Sequence, residues 1–242
     1  MLRSPIALLA LLALLAVSGC GDDDSESGDR GADTTPAADT TAQAEASAAD
    51  GKRPPSKCLD VEAPKPKPDG GQRPPTSKLD PARKYDVTFE TSCGDFVVRL
   101  DVEGAPSTTA SFASLARKGF YDDTVFHRIV PGFVIQGGDP TAAGSGGPGY
   151  STVDRPPANA RYTRGVVSMA KAATEAPGTA GSQFYVVSGA DAGLPPDYAI
   201  VGKVVEGLDT VARIDRLGDP NSGGTGVPLR PVVLERATVS SP

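Results

Sequence analysis

The chain of 242 residues contains one histidine, His127, and three cysteines. A Ser-His-Asp triad or an imidazole-based zinc site would have to use that single ring. It sits among strand-forming residues in TVFHRIV, where a satisfied, partly buried histidine is the simpler expectation, and no metal or cofactor is expected. Lysine and arginine are scattered, with no basic stripe and no interleaved aromatics, which argues against a nucleic-acid partner. Long apolar runs are lacking too: the longest, Ile6 to Val17, is shorter than the ~20 residues with which a permanent helix comfortably crosses a bilayer. The glycine-rich run GGDPTAAGSGGPG (137–149) lacks the Gly-Lys-Ser/Thr ending of a phosphate loop and leads into no clear helix, so it reads as a loop. No internal repeat is visible.

What is present is distributed unevenly. Met1, Leu2 and Arg3 give a short positive start, and the apolar run after them reads as a signal peptide, residues 1–19. It ends in Val17-Ser18-Gly19-Cys20, which resembles the lipobox of bacterial lipoproteins and implies lipid on the Cys20 thiol. An ordinary secretory signal or an uncleaved anchor is the alternative, and either still places the remainder outside the cytoplasm. Residues 21–50 hold nine Asp and Glu against one basic residue, Arg30. Residues 20–52 are therefore expected to be a disordered acidic tether, and residues 53–81 a stiff Pro-rich linker. With Cys20 lipidated, Cys58 and Cys93 remain as an even pair in a disulfide-permissive compartment. A bridge between them would pin the linker to the first hairpin; two unpaired thiols are the alternative, since pairing depends on distance.

A core becomes possible only after that point, in a single domain over residues 82–242. Tyr85, Val87 and Phe89 alternate on one face, and after the turn TSCG so do Phe96, Val98 and Leu100, which predicts a hairpin. Ser107 can cap a helix carrying Phe112, Leu115 and Ala116, with Gly119 placed to end it. Short apolar runs follow (TVFHRIV, FVIQG, GVVSMA, SQFYVVS, AIVGKVV, PVVLERATV), interrupted by a second helix near Leu208 to Leu217 whose buried stripe would be Leu208, Val211, Ala212 and Ile214. Many short strands with two helices predict an all-β fold, a closed antiparallel barrel capped by helices.

The segment FHRIVPGFVIQGGDP, Phe126 to Pro140, sets an arginine, an aromatic and an amide among strand residues. It is similar to the signature of cyclophilin-type prolyl isomerases, and GVVSMA (Gly165 to Ala170) and GSQFYV (Gly181 to Val186) match further strings in the same order. The resemblance covers about Arg83 to Val239 and implies an eight-stranded barrel that accelerates X-Pro bond rotation in exported proteins. Carried over by position, the catalytic arginine is Arg128. The substrate groove is formed by Phe133, Val134, Gln136, Ala170, Lys171, Gln183, Tyr185, Leu194 and Tyr198, with the glycine-rich run as a loop beside it. Val134, Lys171, Tyr185 and Tyr198 replace the family's usual methionine, asparagine, phenylalanine and histidine. The tryptophan that lines the groove in eukaryotic members has no counterpart, Gly193 standing there, so tight cyclosporin binding is not expected.

Three functional readings follow. The first is a membrane-anchored, monomeric isomerase whose partners are X-Pro-containing polypeptides. The second is a noncatalytic peptide-binding module or holdase on the same fold, and a metal-dependent hydrolase is a distant third.

Overall fold

The computed structural model describes residues 57–241. The signal peptide, Cys20 and the acidic tether lie outside the described residues. The predicted hairpin is formed by β1 (Asp86–Thr91) and β2 (Gly94–Leu100), with Val87 opposite Val98 and Phe89 opposite Phe96. All six alternating positions from Tyr85 to Leu100 are buried. Arg99 supports the pair from outside, its Nε and one terminal nitrogen donating to the two Asp86 oxygens at 2.8 and 2.7 Å.

Seven more strands complete one antiparallel sheet: β3 (Thr124–Val125), β4 (Arg128–Val130), β5 (Val134–Gly137), β7 (Val166–Met169), β9 (Phe184–Val187), β10 (Ile200–Glu206) and β11 (Val233–Ser240). Their order is β3-β11-β1-β2-β10-β7-β9-β5-β4, while β6 (Thr152–Val153) and β8 (Thr179–Ala180) form a small separate ladder. The sheet is thus nine-stranded and curled, where eight strands in a closed barrel were expected. The extra strand arises within TVFHRIV, which breaks at Phe126 and His127: Thr124 and Val125 pair with β11, whereas Arg128 to Val130 pair with β5.

Aromatic residues are few, and they are concentrated. Of the seven phenylalanines, six lie in the main core and only Phe133 lies elsewhere. Phe89 stacks on Phe96 at 5.0 Å and meets Phe184 at 5.2 Å and Phe112 at 6.0 Å. Truncating such a ring to alanine costs about 3–5 kcal/mol.

Helix α1 (Pro106–Arg117) buries Phe112, Leu115 and Ala116 as the spacing predicts. Its start differs from expectation, because Ser107 is not the cap. The Asp154 carboxylate accepts the Ser107 and Thr108 N–H groups at 2.9 and 2.6 Å, satisfying two orphan donors from a distant loop and placing negative charge at the positive end of the helix. Helix α2 (Leu208–Asp215) buries Thr210, Val211 and Ile214, while Leu208 is exposed and Ala212 half-buried, so the apolar stripe is narrower than predicted.

The described part of the Pro-rich stretch, residues 57–81, is fastened to the domain at several points. Cys58 is bridged to Cys93, and Leu59 N–H donates to Ser92 O at 2.7 Å. Further along, Lys67, Gly70 and Gln72 donate backbone N–H groups to Pro140, Gly147 and Pro148. The Lys67 ammonium meets the carbonyls of Gly119, Phe120 and Asp122. Composition predicts a stiff linker pinned to the first hairpin; the segment is held by that covalent link and also by backbone hydrogen bonds, which leave no periodic signature.

Candidate active site

Alternation along β4, β5, β9 and β7 sorts side chains onto two faces. Ile129, Ile135, Phe184, Val186, Val167 and Met169 enter the main core. Val134, Tyr185, Val187 and Val166 form a second cluster with Tyr162, and Phe133, Ala170, Leu194 and Tyr198 pack against it. This second face floors a cavity of about 260 Å³ lined by Arg128, Phe133, Val134, Gln136, Ala170, Lys171, Tyr185, Leu194 and Tyr198. Nine of the ten residues carried over from the sequence resemblance therefore converge there. The tenth, Gln183, lines an adjoining cavity of about 640 Å³ that shares Gln136, Ala170 and Lys171.

Arg128 is placed by the register that sets it opposite Gln136. Its Nε and Nη2 donate to Gly224 O at 3.1 and 2.9 Å, and its Nη1 donates to Gln136 Oε1 at 3.3 Å. A guanidinium carries five N–H donors, so two remain beyond these three bonds. Its carbon stands 5.9 Å from the Phe133 ring centre, within cation–π range. Burial draws the Arg128 pKa below its ordinary value, with the nearby Tyr198 acting the other way, and the group stays a cation at neutral pH.

The hydrogen bonds continue from Arg128 as a chain. Gln136 Nε2 donates to Gln183 Oε1 at 3.1 Å, and Gln183 Nε2 donates to Gly146 O at 2.9 Å, so both amides are oriented from end to end. Gly146 belongs to a loop wrapped around Asp139, whose buried carboxylate accepts from Thr141 N and Oγ1 and from Gly144 N and Gly146 N. Burial pushes that carboxyl up, the bonds from Thr141, Gly146 and Gly144 pull it down further, and the net position is below the ordinary range. The glycine-rich run thus lies beside the groove. Gly138 requires its residue type: φ is +83°, and a Cβ would come within 2.5 Å of Ser182 O.

Lys171 folds back, donating to the Ala172 and Glu175 carbonyls at 3.3 and 3.1 Å with its ammonium 5.6 Å from the Tyr198 ring centre. Gly193, with φ +62°, has nothing within 4 Å of where a Cβ would sit, next in the chain to the cavity-lining Leu194. His127 is partly buried, as expected; burial lowers its pKa, with the nearby Asp139 acting the other way, so the neutral ring is favoured. Tyr185 and Ser168 are paired across β7 and β9, with both side chains buried.

Three contributors carried no signal in the sequence. Tyr162 both donates to Tyr198 O at 2.8 Å and accepts from Tyr198 N at 3.0 Å, fixing that wall of the cavity. Gly224, in a short 3₁₀ segment over Pro220–Thr225, supplies the carbonyl that holds Arg128. Asp69, from the N-terminal segment, lines the larger cavity. Each acts across a long sequence separation through a group that no local pattern marks.

Comparison with known proteins agrees with this geometry. A model of the family described as cyclophilin type peptidyl-prolyl cis-trans isomerase/CLD matches residues 86–239. The chain is 37% identical over 158 residues to peptidyl-prolyl cis-trans isomerase CYP18-2 of Arabidopsis thaliana, covering 64% of this chain and 93% of that protein. It is 39% identical over 158 residues to peptidyl-prolyl cis-trans isomerase-like 1 of Aspergillus oryzae, covering 64% and 94%. Among solved structures, a cyclophilin type isomerase of Cryptosporidium parvum superposes with a TM-score of 0.59 at 30% identity, covering 66% of this chain and 99% of that one. The same parasite protein has been crystallised in the presence of the dipeptide Ala-Pro. The chain belongs to the cyclophilin-type peptidyl-prolyl cis-trans isomerases.

Proposed function

We propose that Arg128 is the catalytic residue of this isomerase and that the 260 Å³ cavity receives the proline ring of a polypeptide client. Rotating an X-Pro bond breaks amide resonance across a barrier of roughly 18–20 kcal/mol, and no covalent bond is made or broken. As the bond twists, the proline nitrogen regains its lone pair and the carbonyl loses its planar dipole. A fixed cation that donates more strongly to the twisted imide than to the planar one lowers the barrier. Moving from tens of seconds to milliseconds takes about 10⁴-fold, or roughly 5.5 kcal/mol. The observation that carries this reading is the anchoring of Arg128: three donors are committed to Gly224 and Gln136, and two remain at the rim of an apolar slot.

Phe133, Val134, Tyr185 and Leu194 supply that apolar slot. Gln136 and the Lys171 main chain hold the flanking peptide, and Ala170, Gln183 and Tyr198 shape its path. The cavity is smaller than the roughly 300–1,000 Å³ typical of small-molecule sites, which suits one side chain rather than a cofactor. Two-dimensional NMR exchange on an Ala-Pro peptide tests the assignment. Catalysed exchange that Arg128→Ala removes while leaving the thermal melt intact supports it, and undiminished exchange in that variant overturns it.

We propose further that the enzyme is a monomer held outside the cytoplasm by lipid on Cys20 and acts on exported proteins. The Cys58–Cys93 bridge is in keeping with an oxidising compartment. Among the described residues no helix is long and apolar enough to cross a membrane. Palmitate labelling that is lost in Cys20→Ala supports the anchor, and labelling independent of Cys20 overturns it. Finally, we read β3 and β4 as halves of one bent strand that would turn the nine-stranded order into a closed barrel of eight. In support, the two are consecutive in the chain and pair with opposite ends of the sheet.

A further inference from the structure

Residues 57–72 reach the larger cavity as a fixed strap. Its first residues are tied to the β1–β2 hairpin by the Cys58–Cys93 bridge. Its middle is pinned by Lys67, whose ammonium serves the carbonyls of Gly119, Phe120 and Asp122. Beyond that, Gly70 and Gln72 donate to Gly147 O and Pro148 O at 2.9 and 3.0 Å, and the Asp69 carboxylate accepts Gly147 N–H at 2.8 Å. The two backbones run so close that a Cβ on Gly149 would lie 3.1 Å from Gly70 Cα. The strap and the glycine-rich loop therefore make one wall.

The cavity that this wall bounds opens beside the proline slot and shares Gln136, Ala170 and Lys171 with it. Its volume of about 640 Å³ leaves room for a long side chain. The charged groups lining it are Asp69, Lys171 and Glu175. The one ammonium is turned onto the Ala172 and Glu175 carbonyls and against the Tyr198 ring, so its donors are partly engaged. Asp69 spends one oxygen on Gly147 and has no other partner among the described residues. Glu175 likewise has one oxygen on Ala172 N–H.

Building on the assignment of the proline slot, we propose that the strap is a specificity element. Asp69, seconded by Glu175, makes this enzyme favour clients with a lysine or arginine a few residues from the isomerised proline. The preference is electrostatic and falls with salt, because the carboxylates are exposed and screened over about one Debye length. Exposed pairs contribute modestly, and attraction of a basic residue combines with repulsion of an acidic one, so kcat/KM is expected to differ about fivefold between them at low ionic strength.

The test uses the full chain and peptides with one Ala-Pro bond, with lysine, alanine or glutamate placed in turn at each flanking position. NMR exchange gives kcat/KM for each. At one flanking position the wild type should favour lysine over glutamate, Asp69→Asn should shrink the ratio, and Asp69→Lys should reverse it. Asn keeps an oxygen for Gly147 N–H, so the wall should stay folded, which an unchanged thermal melt checks. Equal rates for lysine and glutamate peptides in the wild type overturn the proposal, as does a ratio that persists in both Asp69 variants and in Asp69→Asn/Glu175→Gln. Failure of the proline-slot assignment would look different, since Arg128→Ala would then leave every peptide's rate unchanged.

Discussion

Arg128→Lys separates a fixed fork of donors from a mere positive charge. In the wild type, Nε and Nη2 share Gly224 O at 3.1 and 2.9 Å and Nη1 reaches Gln136 Oε1 at 3.3 Å. A lysine has three donors on one nitrogen at the end of a flexible stem. If it satisfies Gly224 O it is held away from the imide, and if it turns to the imide it gives up its anchor and its geometry against Phe133. Removing a positioned donor from a site where charge develops costs about 10²–10³ in rate. Because lysine keeps the charge, the expected loss is smaller, about 10- to 100-fold in kcat, or roughly 1.4–2.7 kcal/mol at 1.36 per decade. It should appear in kcat with little change in KM, since the interaction strengthens only as the bond twists. The hydrogen bonds to Gly224 are exposed, so stability should move by less than about 1 kcal/mol. NMR exchange for turnover, paired with urea denaturation, reads both quantities. A lysine variant at wild-type kcat, or one impaired only through KM, would refute the reasoning.

Tyr162→Phe removes two hydrogen bonds to the Tyr198 backbone, so urea denaturation should show a loss of about 1–2.5 kcal/mol and KM should rise. Replacing Cys58 and Cys93 together by serine opens a loop with a sequence separation of 35 and should cost up to about 4 kcal/mol by the chain-entropy model, measured as a lowered denaturation midpoint. Asp139 has its folded pKa below its ordinary value, so it contributes stability that is present above about pH 4 and is lost as pH falls through the lower folded value; Asp139→Asn should flatten an acid-unfolding curve there. The lowered His127 pKa has a corresponding sign: its contribution is full above about pH 6.5 and declines as pH falls from there, a slope that His127→Gln should remove from a series of melts.

Alternation made β1 and β2 legible, because Val87, Phe89, Phe96 and Val98 each had to face the core and the turn fixed their register. Of the groove residues, Arg128, Phe133 and Gln136 stood out only through string similarity; an arginine on a strand, taken alone, reads as a surface ion pair. Why the site is rigid was not legible. Gly224, Tyr162 and Asp154 each act through a pair of hydrogen bonds to residues far along the chain, and neither hydropathy nor propensity records such bonds. The further fastening of the Pro-rich segment was illegible for a related reason. Its composition lacks a buried face, yet Lys67 and a run of backbone donors fasten it.

The adjacency of β1 and β11 sets an order of events for a newly made chain. Asp86 finds Ser240 only after roughly 150 further residues have been synthesised, and pairings of such long range are slow to form. Until then β1 keeps one rim of amides and carbonyls unmatched, a template for joining a neighbouring molecule. A chain interrupted before Val233 should therefore be recovered as aggregate, and supplying the missing strand as a synthetic peptide should return it to solution.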